Sequence, residues 1–140
     1  MTNVRQASVG LWLILCTGCG SGLVPVEGQV VWKDGKPAVE LKDSMIIFDL
    51  PEKKTGARGS VKADGTFTLA TARPEDGVLP GDYKVLIMEA ARPSSAGAES
   101  TEPGKNLLDL RYSNPATTDL KVTIKPGQSK VTLTVERAKK

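Results

Sequence analysis

From Val24 onward the apolar residues alternate with polar ones at a period of two, in short runs separated by glycine and proline at spacings of roughly ten residues. That pattern predicts strands. In Val24-Pro-Val26-Glu-Gly28-Gln-Val30-Val-Trp32, the residues Val24, Val26, Val30 and Trp32 fall on one face. The run closes at Asp34-Gly35-Lys36-Pro37, a turn in which Gly35 can take a positive φ and proline fixes the exit. Met45 to Leu50 follows, with Ile46, Phe48 and Leu50 on one side and Pro51 behind. Between Ala57–Ala63 and Thr66–Ala70, the pair Asp64-Gly65 predicts a hairpin turn, with Phe67 and Leu69 facing inward. Leu79-Pro80-Gly81-Asp82-Tyr83 leads into a strand over Lys84–Met88. Leu120–Ile124 and Val131–Val135, separated by Lys125-Pro126-Gly127-Gln128, read as a second hairpin whose outward Lys, Thr and Glu discourage edge-to-edge association.

Two stretches break the pattern. Residues 92–105 have no apolar periodicity and the composition of a solvated loop. Asn106–Tyr112 is compatible with one helical turn or with an irregular edge. No segment reads as a convincing amphipathic helix. With 140 residues there is one core to fill, and the expected fold is an all-β sandwich.

The N-terminus is different in kind. Arg5 precedes an uncharged stretch from Ala7 to Cys19, whose strongly apolar part, Val9–Cys16, is eight residues long. Spanning a bilayer takes ~20, so a cleaved export signal is expected rather than a permanent span. The end of the run, Cys16-Thr17-Gly18-Cys19, resembles a bacterial lipobox, with cleavage between Gly18 and Cys19 and lipid on the Cys19 thiol. The family usually has Leu, Val or Ile where Cys16 stands, and a thiol is small and apolar enough to replace them. Ordinary cleaved secretion, a Cys-x-x-Cys redox or metal pair, and a buried helix are the other readings of these residues, but no further metal ligands accompany the cysteines. The expected organisation is therefore a signal over 1–18, a lipidated N-terminus and spacer over 19–23, and a sandwich over 24–137. Removing 1–18 leaves 18 basic against 16 acidic side chains and no free thiol or disulfide. Two or more acyl chains on Cys19, palmitate among them, hold a protein at a membrane far more firmly than one. Gly20, where Asp would resemble an inner-membrane retention signal, favours outer-membrane delivery if the cell has two membranes.

Composition narrows the chemistry. The chain has 39% hydrophobic and 25% charged residues, a net charge of +3 and no histidine. The balance gives no reason to expect nucleic acid as a partner, and the commonest general base and zinc ligand is missing.

The order of the motifs resembles the transthyretin-like or carboxypeptidase-regulatory-like domains found as small bacterial lipoproteins. The matching stretches are Val24-Pro-Val-Glu-Gly28-Gln-Val30 with Asp34-Gly-Lys-Pro37, Asp64-Gly-Thr-Phe67, Pro80-Gly-Asp-Tyr83-Lys-Val85, and Arg111-Tyr112-Ser-Asn114-Pro115-Ala-Thr117 followed by Leu120–Ile124 and Lys125-Pro-Gly127. Val39–Ser44 departs from that pattern. The resemblance implies a seven- to eight-stranded Greek-key sandwich of prealbumin type with no catalytic activity. Leu79, Pro80, Gly81 and Tyr83 resemble a tyrosine corner, in which the phenol bonds back to the backbone a few residues upstream.

Sharper functions find little support in these residues. Transthyretin-like hydrolases acting on hydroxyisourate resemble a site of histidines, an arginine and a C-terminal Tyr-Arg-Gly-Ser, whereas this chain has no histidine and ends Glu136-Arg-Ala-Lys-Lys140. A zinc peptidase site lacks its histidines too. Asp43, Asp49, Asp64, Glu75 and Asp76 are the candidate paired carboxylates, mostly at turn positions where Asp serves the backbone. Calcium at Glu75-Asp76 or Asp109 lacks the Asp-x-Asp spacing, and a Lys-to-Asn isopeptide bond lacks an acceptor in the last strand. Trp32 is expected in the core, the other reading being a sugar-stacking platform. The expectation is an envelope lipoprotein, membrane-bound through Cys19, with a structural, adhesive or protein-interaction role toward an envelope protein or polysaccharide. The alternative is a carbohydrate-binding module, and no catalytic residue, cofactor or metal is expected.

Overall fold

The computed structural model describes residues 22–90 and 106–139, and Gly18 and Cys19 lie outside them. Among the described residues seven strands form: β1 Glu27–Trp32, β2 Met45–Leu50, β3 Thr55–Ser60, β4 Thr66–Thr68, β5 Gly81–Met88, β6 Lys121–Ile124 and β7 Lys130–Val135. They make two sheets, a three-stranded one in the order β4-β1-β7 and a four-stranded one in the order β3-β2-β5-β6. The alternation explains the stacking, because each strand has one apolar face and those faces can only be buried against each other. Val30, Trp32, Leu133 and Val135 of one sheet and Ile46, Phe48, Leu50, Tyr83, Val85 and Ile87 of the other are all buried, as is Val26 just before β1. Three aromatic rings join the layers, Phe48 lying 6.1 Å from Phe67 and 5.7 Å from Tyr83 between centroids.

Gly28 occupies the inward row of β1 where its neighbours are valines, and the Phe67 ring lies over it, so that a Cβ there would overlap three ring carbons. Gly35 and Gly65 take φ of +83° and +81°, the left-handed conformation their turns require. Beside them, Asp34 Oδ1 accepts from Lys36 N at 3.1 Å and Asp64 Oδ1 from Thr66 N at 3.0 Å.

Both expected hairpins are corrected. The Asp64-Gly65 turn closes, with Gly65 N donating to Lys62 O at 3.0 Å and Lys62 N to Thr66 O at 2.7 Å. Its arms then part, β3 joining β2 and β4 joining β1, with only Arg58 and Ala70 still exchanging backbone bonds. The regular strand before the turn is Thr55–Ser60, two residues ahead of the expected run. Lys125–Gln128 likewise closes a turn through Gln128 N and Lys125 O at 3.0 Å, but β6 pairs antiparallel with β5 while β7 runs parallel to β1 over six residue pairs. Each connection is an arch from one sheet to the other. Two strands with one apolar face apiece bury more by facing across the core than by lying side by side, and alternation specifies the face without specifying the neighbour.

The expected loop over 92–105 lies outside the described residues, and the other irregular segments form single turns. Val39–Leu41 is a 3-10 helix that buries Leu41, with Ser44 buried just beyond it. Asn106–Tyr112 combines the two readings of its sequence. Leu108 bridges Arg137 as an edge, and Leu110–Ser113 is a 3-10 helix that buries Tyr112.

Candidate functional site

The two ends of the sandwich differ in chemistry. At the end where the chain enters, Val24 N donates to Val78 O at 2.7 Å and Val78 N to Val24 O at 2.8 Å, so the fifth residue after Cys19 is already bonded into the fold. The loop beneath it is organised by Asp76, whose carboxylate accepts from the backbone N–H groups of Thr71, Ala72 and Arg73 at 2.7–2.8 Å. Those three donors hold the Asp76 carboxyl below the usual range, Thr71 N most of all. Next to this loop, Tyr83 Oη donates to Leu79 O at 2.7 Å across Pro80-Gly81, the bond a tyrosine corner requires. Tyr83 is 3% exposed, and burial pushes its phenol above the ordinary value.

The far end carries a charged network. Trp32, 1% exposed, donates Nε1–H to Glu40 Oε2 at 2.9 Å, and the Arg137 guanidinium lies 4.1 Å above its ring while bonding Glu40 Oε1 at 3.0 Å. The indole bond is the largest of the effects that lower the Glu40 carboxyl. Alongside, Lys33 Nζ and Arg111 Nη2 reach Glu136 at 2.8 and 3.2 Å, and Arg111 also donates to Tyr112 Oη at 2.6 Å. Arg111 Nε, buried without a hydrogen bond, faces Asp119 Oδ1 at 3.7 Å. The Lys33 contact is the main cause that lowers Glu136. Sequence reading missed this network because its members lie up to 103 positions apart. One signal was present: a Trp ending a core-facing alternation needs a partner for its N–H, and Glu40 is the nearest carboxylate beyond the Asp34 turn.

The remaining candidate residues are not brought together. Asp34, Asp64, Asp76 and Asp109 all accept from backbone N–H groups, Asp109 from Arg111 N at 3.1 Å. Asp43 and Glu75 sit at positive φ in turns, and Asp49 faces outward from β2 between Gly56 and Lys84. Among the described residues no three His, Cys, Asp or Glu side chains converge as a metal site.

Two shallow grooves mark the outer faces. One crosses the three-stranded sheet and is lined by Glu27, Gln29, Lys62, Thr66, Thr68 and Thr132. The other lies between the 3-10 helix Pro51–Lys53 and strands β5 and β6, with Glu52, Asp82, Lys84, Lys121 and Thr123 on its walls. Neither offers a stacking ring, since Trp32, Phe48, Phe67, Tyr83 and Tyr112 are all buried. Compared with protein-family models, with curated proteins and with solved structures, the chain matches none.

Proposed function

We propose that this chain is an exported lipoprotein of the cell envelope, tethered through Cys19 and carrying a non-enzymatic sandwich that serves a structural, adhesive or protein-interaction role. The observation that carries the reading is the junction: a lipobox-like Cys16-Thr-Gly-Cys19 followed, five residues on, by Val24 hydrogen-bonded into the sandwich. A spacer that short suits an anchor and leaves the far end, with its Trp32–Glu40–Arg137 and Arg111–Glu136 network, pointing away from the lipid. The far end also carries the exposed Val39, Met45, Met88 and Leu110, of which Met45 and Met88 are cross-strand partners. Such side chains, at the same end as the ion pairs, suit contact with another protein. The arches between sheets and the Tyr83–Leu79 bond support a Greek-key connectivity of transthyretin-like type.

A glycan-binding module remains the second reading. The groove of Gln29, Thr66, Thr68 and Thr132 offers it hydrogen bonds but no stacking ring. Detergent phase partitioning tests the tether. Wild-type protein from an exporting host should enter the detergent phase and Cys19→Ser should not; wild type in the aqueous phase would refute the reading.

A further inference from the structure

Two strands of the four-stranded sheet are apolar on both faces. Met45-Ile-Ile-Phe48 of β2 and Val85-Leu-Ile-Met88 of β5 run without a polar residue, the pattern of strands covered on both sides. Their inner row, Ile46, Phe48, Val85 and Ile87, fills the core. Their outer row stands in register as two cross-strand pairs, Met45 with Met88 and Ile47 with Leu86. Met45 and Met88 are 43% and 45% exposed, and Leu86 is buried without belonging to the core cluster. The last strand of the other sheet shows the contrast, β7 presenting Lys130, Thr132 and Thr134 outward.

Charges of opposite sign close these rows. Across β3-β2-β5-β6 the middle row reads Arg58, Ile47, Leu86 and then Asp119, which continues the register through the bond from Val85 N to Leu120 O at 3.0 Å. Arg58 is exposed and joins none of the ion pairs among the described residues. The Asp119 side chain stays 62% exposed beside Arg111 Nε at 3.7 Å. The next row reads Gly56, Asp49, Lys84 and Lys121. A two-fold axis parallel to the strands, between β2 and β5, lays each row reversed on its copy. Arg58 then meets Asp119, Ile47 meets Leu86, Met45 meets Met88 and Asp49 meets Lys84, while Lys121 enters the space at Gly56. A two-fold axis across the strands would instead set Arg58 on Arg58 and Lys84 on Met88. We propose that this outer face of β2 and β5 is the contact surface for a second copy of the chain, packed sheet to sheet with aligned strands. The proposal rests on the protein-interaction reading above and names its partner. The tether supplies the axis, because copies anchored in one membrane stand the same way up, and sharing a membrane raises the effective concentration at which so small a face must associate. The complementarity of the rows does not depend on the anchor.

Photocrosslinking of the full chain in an exporting host tests this, with p-benzoylphenylalanine in place of the exposed Met45. A dimer-sized species should form, and mass spectrometry should find position 45 joined to the Lys84–Met88 segment. Arg58→Glu in every copy, or Asp119→Arg in every copy, should lower the yield by about fivefold or more, because each sets like charges against each other. Cells carrying Arg58→Glu copies together with Asp119→Arg copies should recover it, since every contact between positions 58 and 119 is then opposite in charge. A yield indifferent to these charges, or not recovered in the mixed cells, overturns the proposal. A crosslink to a different protein overturns the second copy and keeps the interaction reading, whereas crosslinks within one chain only, or none, overturn both. Detergent partitioning of the same cells reports the tether separately: wild type in the aqueous phase that still crosslinks to a second copy refutes the tether and supports the contact.

Discussion

Gly28 and Phe67 act as one fitted pair, the ring filling the space that a side chain on β1 would take. Gly28→Ala should therefore destabilise by overpacking, by about 1–3 kcal/mol, and chemical denaturation will measure it. The effect runs opposite to the usual gain when an exposed strand glycine acquires a side chain. Tyr83 contributes through both its ring and its oxygen. Tyr83→Phe keeps the packing against Phe48 and removes the bond to Leu79 O, which should cost about 1–3 kcal/mol with the folded structure otherwise unchanged. The Asp-Gly turns and the Leu-Pro-Gly-Asp-Tyr corner were legible because each is a local device whose residues lie within five positions. Trp32 was legible as a core residue by its place in an alternation, but not its Glu40 and Arg137 partners, because nothing in a linear pattern says which distant charges a fold will bring to one end.

The strands themselves were readable almost to the residue where alternation is clean, as in Met45–Leu50 and Lys130–Val135. Their partners were not. The Lys125–Gln128 and Asp64-Gly65 turns both look like hairpin turns and both close locally, yet they launch strands into opposite sheets. The reason is energetic: β7 gains six parallel residue pairs with β1 and buries Val131, Leu133 and Val135 against the other layer. Engineered disulfides distinguish the two arrangements in a Cys16→Ser/Cys19→Ser background. Gln29→Cys with Thr132→Cys, cross-strand partners in the parallel register, should oxidise readily. Thr123→Cys with Lys130→Cys, opposed in a hairpin but on opposite outer faces of the sandwich, should remain reduced, and efficient cross-linking of that pair would contradict the arch.

Taken whole, the molecule has a stability set by carboxylates on one side of neutrality and by a phenol on the other. Glu40, Glu136, Asp64 and Asp76 all have folded pKa values below their ordinary 4.5 and 3.8, so they favour the folded state above those values and lose that contribution as pH falls through the lowered ones. Tyr83 and Lys33 are raised above 10.0 and 10.5, so their contribution is complete below those values and is lost as pH rises past them. With no histidine in the chain, thermal melting should show a plateau from about pH 5 to pH 10 that falls on both sides. A step between pH 6 and pH 8 would contradict it.

The same molecule, read as a tethered body, enters at the end where Val24 is bonded to Val78 and has an outer end closed by ion pairs and tipped with exposed apolar side chains. Everything in that orientation depends on Cys19. Intact-mass spectrometry of membrane-fraction protein from a lipoprotein-processing host, comparing wild type with Cys19→Ser, addresses it directly. The account predicts a wild-type species cleaved before Cys19 and heavier by a diacylglycerol and an acyl chain, with no such species from the mutant. An unmodified processed chain in the soluble exported fraction would contradict it.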